Sequence, residues 1–247
     1  MNRVTLARAL SKLGAASRKA ARDLCASGRV KVDGRVVRDP DHWLDLSRAE
    51  VTLDGQRLAR DLPVYVALHK PPGVVTTCRD EKGRRTVIDL LPARWKRLRP
   101  IGRLDLATSG LLLLSNDARF GEAVTSPATA VEKEYEVELD RPLTPEHARA
   151  LAAPMELTDG TRLLPARVAA SGCAIRLVIV EGRNRQIRRM CEQLGYRVER
   201  LHRTRIGPVQ LGDLEAAATR PLSAAEVRAL LACGSSRGRR GDEGASR

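Results

Sequence analysis

The apolar positions of this chain fall into short runs with distinct periods, and the periods predict alternating helices and strands. Near the N-terminus Leu6, Ala9, Leu10 and Leu13 recur at helical spacing, and Gly14 closes the run. Ser17 is a suitable N-cap for a second helix over residues 18–26, which Gly28 stops. From Arg29 to Val37 apolar and polar residues alternate about Asp33-Gly34, the signal of a β-hairpin. Residues 58–63 read as a linker. Beyond it come a strand at Val64–Leu68 and the rigid turn His69-Lys70-Pro71-Pro72-Gly73. Four successive leucines, Leu111–Leu114, predict a strand buried on both faces. Next come a helix near Ala118–Val124, a strand at Glu134–Leu139, and a helix over residues 144–152 with Thr144 as cap and Pro145 at its first position. A strand at Ala174–Val180, a strongly basic helix at Asn184–Leu194 stopped by Gly195, and a strand at Arg197–Arg203 follow. The last helix opens on the capping box Ser223-Ala224-Ala225-Glu226. Strands and helices mix without regular βαβ alternation, so the class is α+β. Residues 234–247 carry no large apolar side chain and are expected to be disordered.

The chain has 247 residues, enough for a small N-terminal domain over 1–60 and a larger one over 63–233. Its formal net charge of +14 calls for a polyanionic partner, and nucleic acid comes first. No long apolar span or signal-peptide pattern stands out, so a cytoplasmic chain is expected. Cys25, Cys78, Cys173, Cys191 and Cys233 form no C-x-x-C pair, which fits reduced thiols used as small apolar residues. The histidines are scattered without metal-ligand spacing, and no phosphate loop or dinucleotide fingerprint occurs. Neither a metal nor a cofactor is expected. Aromatic residues make up only 2% of the chain, which argues against a binder that stacks many bases. No heptad or self-complementary apolar stripe stands out, so a monomer is the default.

The chemistry concentrates around Gly102-Arg103-Leu104-Asp105, shortly before the leucine strand. On residue type alone, Asp105 is either a member of a structural ion pair or a reactive carboxylate at the edge of a core sheet. Residues 102–117, GRLDLATSGLLLLSND, resemble the nucleophile motif of the pseudouridine synthases, in the RsuA-type branch that holds a small-subunit rRNA enzyme and its large-subunit relatives. The segments H-K-P-P-G at 69–73, K-E-Y at 133–135 and E-G-R-N-R-Q-I-R-R-M at 181–190 resemble further motifs of that branch, in the right order. The N-terminal order of helix, S-R-x-x-A, helix and G-R-V-x-V-x-G resembles the S4 RNA-binding domain, with Lys19-Ala20 where the pattern often has Arg-Glu. The resemblance runs from about Val4 to Leu231.

The resemblance implies an S4 domain joined to a catalytic domain with a mixed, largely antiparallel sheet and a central cleft. It implies that Asp105 is the nucleophile and that Arg188 pairs with it. Burial alone would neutralise the carboxyl, so a nearby cation is needed. Tyr135 would stack on a flipped uracil with its hydroxyl near C5, although a tyrosine there also suits a core. Lys133 would shape the pocket. Arg103 would either fill the gap left by the extruded nucleotide or contact phosphate. Arg18, Lys19, Arg22, Arg29 and Lys31 of the S4 module, with Arg183, Arg185 and Arg189, would hold RNA. Arg197, Arg200, Arg203 and Arg205 would extend that backbone-binding surface. The substrate so implied is ribosomal RNA, 23S before 16S, free or in an assembly particle. A tRNA substrate, a non-catalytic RNA-binding assembly factor and a DNA-binding protein are the competing readings. Whether Asp105 adds to C1′ or to C6 of the nucleotide stays open.

Overall fold

A three-residue strand, β1 (Arg3–Thr5), leads directly into α1 (Leu6–Lys12), and a short turn leads on to α2 (Arg18–Ala26). The computed structural model describes residues 3–59 and 62–235. Ser17 caps α2 as its sequence position predicts, its hydroxyl accepting from the Ala20 amide at 3.2 Å. The hairpin β2 (Val30–Val32) and β3 (Arg35–Val36) turns on Asp33 and Gly34, whose φ of 48° and 81° meet the type I′ requirement. After β4 (Trp43–Asp45), which pairs with β1, the same device recurs. Asp54 and Gly55, with φ of 51° and 81°, join β5 (Val51–Leu53) to β6 (Gln56–Arg57). These elements enclose a core of their own, centred on Leu6, Leu10, Ala21, Cys25 and Val30. They belong to one compact unit, residues 1–62, and residues 63–247 form a second.

The second unit opens with β7 (Tyr65–Lys70), β8 (Arg99–Ile101), β9 (Ser109–Ser115) and α3 (Ala118–Thr125). It continues through β10 (Lys133–Leu139), α4 (Pro145–Ala152), the short pair β11 (Met155–Glu156) and β12 (Arg162–Leu163), β13 (Arg167–Ser171) and β14 (Ala174–Ile179). It closes with α5 (Gln186–Gln193), β15 (Val198–Ile206), β16 (Val209–Gln210), β17 (Thr219–Pro221) and α6 (Ala224–Ser235). Nine strands make one sheet in the order β13-β14-β10-β15-β9-β7-β17, with β8 on β9 and β16 on β15. Every pair in it is antiparallel except β9 with β15. The class is α+β, with an S4-like module ahead of a mixed, largely antiparallel sheet. Most of the expected disordered tail, residues 236–247, lies outside the described residues. No helix among the described residues is long and apolar enough to cross a membrane.

The unbroken leucine run has a simple cause. Leu112 and Leu114 belong to one core with Val66, Leu68 and Tyr135, whereas Leu111 and Leu113 belong to another with Ala67, Phe120 and Leu230. Successive strand residues point to opposite faces. A strand covered on both faces must therefore be apolar at every position.

At its N-terminal end β9 lies against β15 in parallel, with Ser109 opposite His202 and Gly110 opposite Arg203. The approach is close enough that only glycine fits. A Cβ at Gly110 would lie 2.2 Å from the Arg203 carbonyl oxygen and 2.5 Å from its nitrogen, and its φ of +107° disfavours any other residue. Gly110→Ala is expected to lower stability by about 3 kcal/mol or more through overpacking and backbone strain. Gly121→Ala in α3, where the new methyl meets only Ile101 at 3.8 Å, should leave the midpoint unchanged or raise it. Urea unfolding of the two variants beside the wild type checks both.

Candidate active site

Between β8 and β9 the chain runs through residues 102–108 without regular structure, so its carbonyls need partners from elsewhere. Lys70, the last residue of β7, supplies them. Its side chain is fully buried, and Nζ lies 3.0 Å from the Pro71 carbonyl oxygen, 3.2 Å from that of Asp105, 3.4 Å from that of Leu106 and 2.7 Å from that of Thr108. The Gly73 amide donates to Leu106 at 2.8 Å, and the Thr76 hydroxyl donates to Leu104 at 2.8 Å. The turn that the proline pair stiffens thus clamps the loop that carries Asp105. Burial pushes the Lys70 ammonium down to about 8, against the pull of Asp105.

The loop forms one wall of a cavity of about 260 Å³, below the usual range for drug-sized ligands and suited to one nucleobase. Arg103 and Asp105 from the loop, Lys133 and Tyr135 from β10, and Arg183 and Arg185 ahead of α5 all line it. Strand alternation puts Lys133 and Tyr135 on the same side. The Asp105 side chain is partly exposed and takes part in no hydrogen bond or ion pair among the described residues. Tyr135 is buried at the edge of the main core. Lys133 Nζ donates to the Val131 carbonyl at 2.9 Å; burial, aided by the charge of Arg203, pushes it down to about 8. Opposing this shift is the buried carboxylate of Glu181, which accepts from the Leu164 amide at 2.8 Å and from Gln186 at 3.0 Å. Arg185, ahead of α5, sits in the left-handed region at φ 47°, so the helix starts at Gln186 rather than at Asn184.

Arg188, expected beside Asp105, is not among the arginines on the cavity wall. Arg188 is buried in α5 but does not line the cavity; its Nη1 donates to the Val198 carbonyl at 2.9 Å, and no Asp105–Arg188 ion pair forms. Its Nε and Nη2 have no partner. Arg203 lines the cavity instead, because a bulge in β15 sets Glu134 opposite Arg205 and Tyr135 opposite Arg203, leaving Thr204 as the extra residue. Sequence reasoning had counted Arg203 as surface charge, yet it is only 4% exposed. Its Nε donates to the Leu111 carbonyl at 2.7 Å and its Nη1 to the Tyr135 hydroxyl at 3.3 Å. The available signal was its spacing of two from the apolar Leu201 on a strand, which places both on the inner face.

The remaining basic residues divide into free and paired groups. Arg189 bonds Asp159 at 2.6 Å, Arg205 bonds Glu132 and Glu134, and Arg197 bonds Glu199, so much of the expected stripe is neutralised internally. In the first unit Arg22 pairs with Asp41 at 3.2 Å and Arg29 with Asp54 at 2.6 Å. Arg18, Lys19 and Lys31 are exposed and have no ion pair among the described residues.

Known proteins share the fold and much of the sequence. The profile of the family described as RNA pseudouridylate synthase matches residues 64–193, and that of the S4 domain matches residues 4–46. The chain is 36% identical to the Ribosomal large subunit pseudouridine synthase B of Bacillus subtilis strain 168, over 92% of this chain and 95% of that one. This chain belongs to the RNA pseudouridylate synthase family. It is also 39% identical to the Ribosomal small subunit pseudouridine synthase A of Pseudomonas aeruginosa, over 90% of this chain and 98% of that one. A crystal structure of a pseudouridylate synthase superposes with a TM-score of 0.69 at 29% identity, covering 92% of this chain and 99% of that one. The synthase is an isomerase with an S4 RNA-binding domain.

The two depressed lysines give the synthase a measurable pH signature. Below about 8 both carry their proton in the folded and the unfolded chain, and the cost of burying charge is felt in full. Between about 8 and the ordinary value of 10.5 the folded state releases protons that the unfolded chain keeps, so these groups raise stability as pH rises. Lys133→Met removes one of the two. Its stability advantage over wild type should therefore shrink from pH 8 to pH 10, which denaturant unfolding at a series of pH values would detect.

Proposed function

We propose that this synthase converts a uridine of ribosomal RNA to pseudouridine, with Asp105 as the nucleophile. The observation that carries the reading is the unpaired carboxylate of Asp105, held on a clamped loop and lining a base-sized cavity with Tyr135. Tyr135 forms the surface on which the extruded uracil stacks, with its hydroxyl toward C5. Lys133 shapes the floor of the pocket. Arg103, exposed on the same loop, fills the space the nucleotide vacates. Arg188 is proposed as the counter-ion of Asp105 on RNA binding: two of its buried nitrogens have no partner among the described residues, Asp105 forms no ion pair there, and their pairing would satisfy both. Ribosomal RNA is favoured because relatives similar over nearly the whole chain are named for the ribosomal large and small subunits. Identities of 36% and 39% do not choose between those subunits. The segments E-K-E-Y at 132–135 and R-M-C-E-Q-L-G-Y at 189–196 lean to 23S. The cytoplasm is where such a substrate is met.

Carbodiimide mapping of pseudouridine in total rRNA and tRNA tests the reading directly. Cells lacking the protein should lose pseudouridine at one or a few rRNA positions. Wild type should restore the signal, and Asp105→Asn should not. An unchanged rRNA map, or restoration by Asp105→Asn, would overturn the assignment.

The S4 module contributes through phosphates, and its free cations matter most. Replacing Arg18, Lys19 and Lys31 together with alanine should weaken rRNA binding and reduce the salt dependence of log K by about three charges. Replacing Arg29, already held by Asp54, should change the slope by less than one. Filter binding across a salt series measures both.

A further inference from the structure

Arg203 is the least explained group in the cavity. Two of its three nitrogens are committed, Nε to the Leu111 carbonyl and Nη1 to the Tyr135 hydroxyl. The third, Nη2, is buried without a partner. The guanidinium carbon lies 5.8 Å from the Tyr135 ring centre. The backbone leaves Arg203 little freedom: it is pinned by the glycine contact at 110 and by the bulge that sets it opposite Tyr135. A rigid cation with an unused donor on the wall of a pocket that takes a base can donate to a base carbonyl, and that bond strengthens most when the base carries negative charge.

The chemistry of the reaction supplies that charge. In base migration the C1′–N1 bond breaks and its electron pair goes to the uracil ring, which carries the charge on its carbonyl oxygens. The base then rejoins C1′ through C5, the C5 proton leaves to a base and N1 takes up a proton, so no atom is gained or lost overall. Addition of Asp105 at C6 would load the same oxygens. In either route a negative charge appears on the base only during the reaction. We infer that Arg203 is a further catalytic residue, whose Nη2 donates to a uracil carbonyl oxygen and stabilises the base as it separates from the ribose. The field of the pocket agrees: Arg203 also disfavours the charged forms of Lys70 and Lys133, so its own charge is felt across the site. A donor placed in advance where charge develops in a dry site accounts for about 100- to 1,000-fold in rate in other enzymes.

The inference rests on the Asp105 reading, and the test separates the two. Full-length 16S and 23S transcripts are made with uridine or with 5-fluorouridine throughout. Fluorine at C5 stabilises the uracil anion and so reduces the need for an external donor. Single-turnover rates are read by digestion to nucleosides and liquid chromatography with mass detection, as pseudouridine formed, which has the mass of uridine and is separated by retention, or as the rearranged, C6-hydrated product of 5-fluorouridine, whose C5 has no proton to lose. Arg203→Met should slow the uridine reaction about 100-fold or more and the 5-fluorouridine reaction by less than about tenfold, with RNA affinity nearly unchanged. Arg203→Lys, which keeps the charge without the fork, should recover about tenfold of the uridine loss. An equal loss on both transcripts would overturn the inference and leave Arg203 as packing. If Arg203→Met does not fold, as judged by circular dichroism, the same comparison on Arg203→Lys decides. Asp105→Asn should be inactive on both transcripts. If it is active while the Arg203 loss still depends on the base, the nucleophile assignment fails and the inference stands. A wild type inactive on both transcripts overturns both.

Discussion

A buried ammonium does most to hold the loop that carries Asp105 in place. Lys70 has no solvent exposure, and a charge so placed loses several kcal/mol of hydration. It persists because it gathers four backbone carbonyls that no strand or helix would otherwise satisfy. Since the lysine satisfies the backbone of the loop, the Asp105 side chain has no structural duty. A carboxylate with no partner can act as a nucleophile, whereas one recruited to hold the loop would be masked. Sparing Asp105 this task leaves an irregular segment rigid and its carboxylate unengaged.

The rest of the site depends on how near that loop comes to β15. The parallel contact at Gly110 brings the start of the leucine strand against the backbone of Arg203. Around the cavity the buried cations Lys70, Lys133 and Arg203 face the carboxylates Asp105 and Glu181, leaving an excess of positive charge. Glu181 is engaged by a backbone amide and by Gln186. Elsewhere the basic composition is partly spent on internal ion pairs, and net charge alone overstates the surface available to RNA.

The sequence made plain what depends on neighbours along the chain. The helical periods, the Ser17 cap, the Asp33-Gly34 hairpin and the leucine strand are local patterns, and the structure contains them all. Asp105 and Tyr135 stood out because short contiguous motifs carry them, and the fold brings both to one cavity. Strands of two or three residues, such as β5 and β6, were missed because they are too short to show alternation. That Arg203 lines the cavity and Arg188 does not was hidden for a different reason. Which arginine faces a cavity depends on a helix start shifted by the left-handed Arg185 and on a bulge that skips Thr204. Neither shift leaves a mark in residue type. The role of Lys70 was hidden likewise, since its acceptors are carbonyls, which every residue has.

The parallel pairing also sets an order of events during synthesis. Ser109 and His202 lie 93 positions apart in the chain, and the contact that completes the cavity joins those two segments. Loop closure over so long a stretch is slow, and it cannot begin before β15 has been made. The core of the N-terminal unit is drawn wholly from residues 4–58, all of them made early. A nascent chain can therefore present a folded RNA-binding module well before it has a working pocket, and the enzyme stays silent until its last third leaves the ribosome.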